Sequence, residues 1–133
     1  ATEALTTKRG RVEIWNQNGT RRLVFAPYGD LYTGAINITV GDVDGDRIKE
    51  IVTGAGPGGG PHVRTFRLDG RPVGGGFFAY DKTFRGGVEV ATGDLDGDGK
   101  EEIITGPGYG GGPQVRAFRP DGTVVIKGFF AYS

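Results

Sequence analysis

The sequence predicts an all-β protein, a β-propeller-like array of four-stranded antiparallel blades with two full blades and an N-terminal half blade. Three observations predict it. Residues 25–76 align with 77–128 at a constant offset of 52 without a gap, and about half of the positions are identical. Each copy divides into short apolar runs punctuated by glycine, proline and aspartate. Glycine accounts for 27 of 133 residues, Val, Ile and Phe outweigh Leu, and no stretch shows a convincing amphipathic helical pattern. A repeat of this length with four strands and periodic Gly and aromatic positions fits a propeller blade better than two separate β-domains in tandem.

Residues 1–24 carry the tail of an earlier copy. There Arg11-Val12-Glu13-Ile14-Trp15, followed by Asn18-Gly19, matches Gln114-Val115-Arg116-Ala117-Phe118 followed by Asp121-Gly122. Val12–Trp15 and Arg22–Phe25 are therefore expected to form a hairpin, the last two strands of a blade. Repeat unit 25–76 then supplies strands at Ala35–Val40, Glu50–Thr53 and His62–Arg67. Unit 77–128 repeats them at Val88–Thr92, Glu102–Thr105 and Gln114–Arg119. Val63 and Thr65, like Val115 and Ala117, alternate with polar neighbours at the strand period of two. Asp69-Gly70 and Asp121-Gly122 mark hairpin turns, with Asn18-Gly19 their equivalent. This hairpin explains the sequon at Asn18 better than glycosylation does. A second sequon lies at Asn37. The fourth strand leads into a Phe-x-x-Tyr element, and residues 129–133 open a third copy with Phe129-Phe130-Ala131-Tyr132. The four segments form a single continuous domain.

Net charge is zero, from 16 basic and 16 acidic residues, which points away from nucleic acid as a partner. No apolar run has the length that membrane insertion requires. The acids are concentrated: Asp42, Asp44, Asp46 and Glu50 fall in one short loop, Asp94, Asp96, Asp98 and Glu102 in another. In each, carboxylates occupy loop positions 1, 3, 5 and 9. Alternate oxygens on a tight loop suit Ca2+, which takes six to eight oxygen ligands, and the seventh-position carbonyls of Ile48 and Lys100 would complete each shell. Magnesium is disfavoured by its stricter octahedral geometry. The loops are not EF-hands, since position 12 is Thr53 or Thr105 and the flanks are strands. Position 6 is Gly99 in the second loop and Arg47 in the first, so the 94–102 site is expected to be the stronger of two.

Gly54-Ala55-Gly56-Pro57-Gly58-Gly59 and its partner at 106–111 match G-x-G-x-x-G. A third strand rather than a helix follows each one, so no helix N-terminus is available to hold a phosphate. These loops are expected to let strands approach closely. Cysteine is absent and the single His62 becomes Gln114 in the second copy, so neither marks a catalytic centre and the chain is expected not to be an enzyme.

The run GDLDGDGKEEIITGPGYGGGPQVRAF, with FFAYDKTFRGGVEVATGD before it, resembles the FG-GAP/VCBS repeats of bacterial surface proteins. These repeats are related to the blades of the integrin α-subunit propeller and of certain fungal lectins. The resemblance implies an extracellular location and structural calcium held by Asp42, Asp44, Asp46 and by Asp94, Asp96, Asp98. The family usually has Asp at the ninth loop position, where this chain has Glu50 and Glu102.

Two blades and a half cannot close a propeller, which needs roughly four to eight. The sequence therefore predicts a structural or adhesion module whose blades associate head to tail into a homo-oligomeric ring or a filament, or else a fragment of a larger surface protein. A lectin-like module is the alternative, with Trp15, Tyr28, Tyr80, Phe84 and Tyr109 as candidate platforms for a glycan. Another surface protein is the remaining partner class.

Overall fold

The computed structural model describes residues 4–95, 97–108 and 114–130, the last five of them by backbone alone. Every regular element in these residues is a strand, and the strands form three antiparallel sheets. An N-terminal sheet holds β1 (Ala4–Lys8), β2 (Arg11–Trp15) and β3 (Arg21–Phe25). The first blade is a meander of β4 (Ile36–Gly41), β5 (Glu50–Ala55), β6 (His62–Phe66) and β7 (Phe77–Phe78). The second is β8 (Val88–Gly93), β9 (Glu102–Pro107), β10 (Gln114–Phe118) and β11 (Val124–Phe130). The architecture is that of successive propeller-like blades, and the described sheets form no closed ring.

The N-terminal sheet has one strand more than the two the sequence signals. β1 has no counterpart at the repeat offset, and its Ala-Leu-Thr-Thr-Lys is mostly polar. It pairs in register with β2 from Ala4↔Trp15 to Lys8↔Arg11. The two-residue turn between them, Arg9-Gly10, has positive φ at both positions (48° and 77°), the geometry that matches the twist of a tight hairpin. The Asn-Gly and Asp-Gly turns form as the sequence indicates. Gly19, Gly70 and Gly122 donate to the carbonyls of Asn16, Arg67 and Arg119, and Asn18 caps its own turn by accepting from Thr20.

The fourth strands differ between blades. β11 is continuous over seven residues, although bulged, whereas β7 is only two residues long. Gly74-Gly75-Gly76 stand where the second copy has Ile126-Lys127-Gly128, and a run of three glycines weakens a strand. A single bridge from Phe66 to Pro72 is what remains of the earlier part of that strand.

The core lies between sheets. Ile14, Ile51 and Phe66 are buried between the N-terminal sheet and the first blade, with Leu23 and Phe25 packed on them. Val52, Val63, Val88, Ile103 and Phe118 fill the space between the two blades. Here β8 packs across β4 and β5, and glycine makes room for it. A Cβ on Gly54 would stand 2.6 Å from the Val88 carbonyl oxygen, and one on Gly87 would stand 2.5 Å from the Gly56 carbonyl carbon. The Gly58 N–H donates to Arg85 and the Gly87 N–H to Gly59. The glycine loop of the first blade is thus a surface against which the next linker lies, and the Asn37 amide donates across the same boundary to Val88 (2.8 Å).

The Phe-x-x-Tyr element ties each blade to the sheet before it. Tyr28 donates to the His62 carbonyl (2.7 Å), and Arg64 donates back to the Pro27 carbonyl (2.8 Å). Tyr80 and Gln114 (2.7 Å), with Arg116 and Ala79 (2.7 Å), repeat the arrangement one unit later. Burial raises the pKa of both phenols, so both stay protonated donors at neutral pH.

Candidate metal centre

The turn from β4 to β5 folds around the side chain of its first acid. Asp42 Oδ1 accepts from the N–H groups of Gly45 (2.9 Å) and Asp46 (3.1 Å), and Oδ2 accepts from Arg47 (2.8 Å). Asp44 accepts from the Asp46 N–H, and Asp46 from the Ile48 N–H. Glu50, the first residue of β5, reaches back so that Oε1 accepts from the Val43 N–H (3.0 Å). The turn from β8 to β9 repeats the pattern. Asp94 accepts from Gly97 and Gly99, Asp98 from Lys100, and Glu102 from Leu95 (2.8 Å).

The folding of each turn brings carboxylate oxygens together. One oxygen from each of Asp42, Asp44, Asp46 and Glu50 lies within 4.8 Å of the others, as do oxygens from Asp94, Asp98 and Glu102. Asp96 lies outside the described residues. Ile48 and Lys100 stand at the seventh positions, their N–H groups holding Asp46 and Asp98 in place.

The ninth-position acids are the decisive members. Glu50 and Glu102 are each 1% exposed, and the Oε2 atom of each is buried with no hydrogen-bond partner among the described residues, that of Glu102 lying 3.8 Å from Arg119 Nη1. A buried carboxylate with one oxygen unsatisfied is destabilising unless a cation supplies the missing interaction or a proton neutralises it. Desolvation accordingly pushes Glu50 up to about 7, against the pull of the Val43 N–H, and the charges of Asp44 and Asp46 add to the rise. Burial also raises Asp44, whereas the Ile48 N–H lowers Asp46. The unsatisfied oxygens and the all-oxygen donor set fit a hard divalent cation such as Ca2+.

The two loops differ at position 6. Arg47 has φ 69° and Gly99 φ 87°, so both occupy the left-handed region that an L side chain enters at a penalty.

Two features escape a reading of the sequence. Arg67 places Nη1 3.8 Å from both Asp44 and Asp46, and Arg119 places its own 3.5 Å from Asp98 and 3.8 Å from Glu102. Their recurrence at the repeat offset was visible, but not that the end of the third strand reaches the acidic turn. The second feature, Glu101, contacts the first loop and has Lys49 as its counterpart, so repetition gives no signal for it.

The candidate stacking residues among those described do not gather in one place. Trp15 donates through Nε1 to Thr6 (2.8 Å), the Tyr28 and Tyr80 hydroxyls point at backbone, and Phe84 is half-buried. Tyr109 and residues 131–133 lie outside the described residues. No helix among the described residues is long and apolar enough to cross a membrane.

Residues 86–126, which hold β8, β9, β10 and the second acidic turn, match the model of the FG-GAP repeat family. No curated protein and no solved structure matches the chain.

Proposed function

We propose that this chain, which carries an FG-GAP repeat at residues 86–126, is a calcium-binding structural or adhesion module of the integrin-like propeller kind. FG-GAP repeats are structural rather than catalytic modules and are typical of extracellular proteins. The observation that carries the calcium reading is buried Glu50, which closes its acidic turn with one oxygen that has no hydrogen-bond partner among the described residues; Glu102 repeats the burial, its free oxygen facing Arg119 at 3.8 Å. The ion would be held by Asp42, Asp44, Asp46, Glu50 and the Ile48 carbonyl in one loop. In the other the ligands would be Asp94, Asp96, Asp98, Glu102 and the Lys100 carbonyl. Bound there, it stiffens the turns that join the first two strands of each blade.

Assembly through blade faces belongs to the same proposal. Leu95 is 49% exposed where its counterpart Val43, covered by the second blade, is 3% exposed. Ile104 and Val115 are half-buried where Val52 and Val63 are fully buried. The second blade thus offers outward what the first offers to it, a surface suited to another blade.

The test is calorimetric titration of the whole chain with Ca2+, alongside Glu50→Gln and Glu102→Gln. Two sites are expected, each variant weakening one of them. A chain that takes up no calcium overturns the reading. A monomeric mass in light scattering with calcium present removes the assembly part alone.

A further inference from the structure

Beside the glycine loop of the first blade lies a cavity of about 510 Å³, open to solvent and within the usual range of ligand pockets. Three separate segments wall it: Tyr28 and Tyr32 of the linker entering the blade, His62 and Phe78 of β6 and β7, and Lys82 and Arg85 of the linker leaving it. We propose that this groove binds an acidic saccharide, a pyranose unit bearing a carboxylate or sulfate.

The rings form a continuous wall. Tyr32 meets Tyr28 edge-on at 5.6 Å, Tyr28 lies 5.5 Å from His62, and His62 stacks on Phe78 at 4.9 Å. Phe78 is 52% exposed, a large apolar ring kept at the surface. The wall is faceted, with interplanar angles of 72°, 54° and 27° along it, and the exposed Phe78 ring is the face that can accept the apolar side of a sugar ring.

The charges select the class of sugar. Arg85 is fixed by Nη1 donating to the Lys82 (2.6 Å) and Phe84 (3.2 Å) carbonyls. The lining contains Lys82 and Arg85 and no carboxylate. The nearby Asp81, outside the lining, keeps its charge, but its Oδ1 is turned to the N–H (2.8 Å) and hydroxyl (2.6 Å) of Thr83. A groove whose described lining has two cations and no acid attracts an anion.

Two of these features depart from the repeat. Lys82 and Arg85 stand where the preceding linker has Asp30 and Thr33, whereas Phe78 recurs as Phe130 in the third copy. Blade packing therefore does not require the two cations. An acidic peptide fits less well, because β6 is paired on both sides and β7, two residues long, is too short to add a peptide strand.

The test titrates the full chain, with calcium present, with hexasaccharides of hyaluronan and chondroitin sulfate, maltohexaose and a Glu-rich peptide. Both acidic sugars are expected to bind, and maltohexaose is not. Phe78→Ala and the double change Lys82→Glu with Arg85→Glu are each expected to weaken binding at least tenfold. His62→Gln introduces the side chain that the second blade carries at this position, and it is expected to weaken binding without lowering the neutral-pH melting temperature. The proposal is overturned by no binding of either acidic sugar, by equal binding of maltohexaose, or by tighter binding of the peptide. Loss on charge reversal with no effect of Phe78→Ala or His62→Gln also overturns it, since that outcome means non-specific charge attraction. The acidic turns are intact in every variant, so calcium uptake is scored separately.

Discussion

The Glu101 carboxylate, in the second acidic turn, accepts a hydrogen bond from the backbone N–H of Asp42, the first residue of the first turn (2.7 Å). The Glu101 N–H donates in return to the Asp42 carbonyl (2.9 Å). An ion that orders residues 94–102 therefore also orders the residue around which the other turn folds. Calcium binding to the two loops is expected to be positively cooperative. Glu101→Lys removes a charge-assisted bond worth about 1.5–3 kcal/mol and should weaken the cooperativity, the backbone bond remaining, whereas Glu101→Gln should keep more of it. A Hill coefficient that stays the same in Glu101→Lys rules the coupling out.

Arg47→Gly should tighten the first site. It relieves a left-handed backbone penalty of about 1 kcal/mol, roughly fivefold in affinity, and removes a positive charge from the turn. Calorimetry on the variant checks this, and an unchanged or weaker constant goes against it.

Chelation should destabilise the protein. A site filled at about 100 times its dissociation constant adds about 2.7 kcal/mol, so two sites should raise the melting temperature by roughly 10 °C or more in a domain of this size. Melts with and without chelator give the answer. Equal melting temperatures would mean that the buried glutamates are satisfied without an ion.

Gly54 and Gly106 occupy the same repeat position in different surroundings. A Cβ at Gly54 meets the Val88 carbonyl oxygen at 2.6 Å, while one at Gly106 meets nothing within 4 Å among the described residues. Gly54→Ala should destabilise by about 1–3 kcal/mol through overpacking between the blades. Gly106→Ala should be neutral, or stabilising by up to about 1 kcal/mol. Denaturant midpoints of the two variants compare them, and equal losses would contradict the packing described for β8.

His62 makes the first blade acid-sensitive. Burial, its largest influence, lowers the imidazole pKa from 6.5, and Arg64 adds to the effect. The unfolded chain therefore takes up this proton first, and the group removes stability as pH falls below about 6.5. Between pH 7.5 and 5.5 the wild type should lose more stability than His62→Gln. Parallel losses in the two proteins would show that His62 does not contribute.

The parts legible in the sequence were those carried by repetition and by local chemistry. The offset located the second and third strands of both blades, and the acid spacing brought Asp42, Asp44, Asp46 and Glu50 to one point. The Asp-Gly pairs marked the hairpins because their backbone preference is local. β1 was missed because it has no second copy and its turn, Arg9-Gly10, lacks the usual Asn or Asp. The Glu101–Asp42 contact and the groove of Tyr32, Phe78 and Arg85 join residues distant in sequence, and local pattern carries no record of such pairings.

The seams of the repeat and of the sheets do not coincide. Phe25 and Phe77 open the repeat units in sequence, yet each sits in the outermost strand of the preceding sheet, while the blades begin at Ile36 and Val88. Each blade is therefore encoded by parts of two successive units, and its tyrosine anchor arrives with the strand that finishes the sheet before it. Duplication of any 52-residue window within residues 25–128 would thus add one complete sheet already fastened at both sides. An array built in this way can lengthen by unequal recombination without passing through an intermediate that has a broken joint.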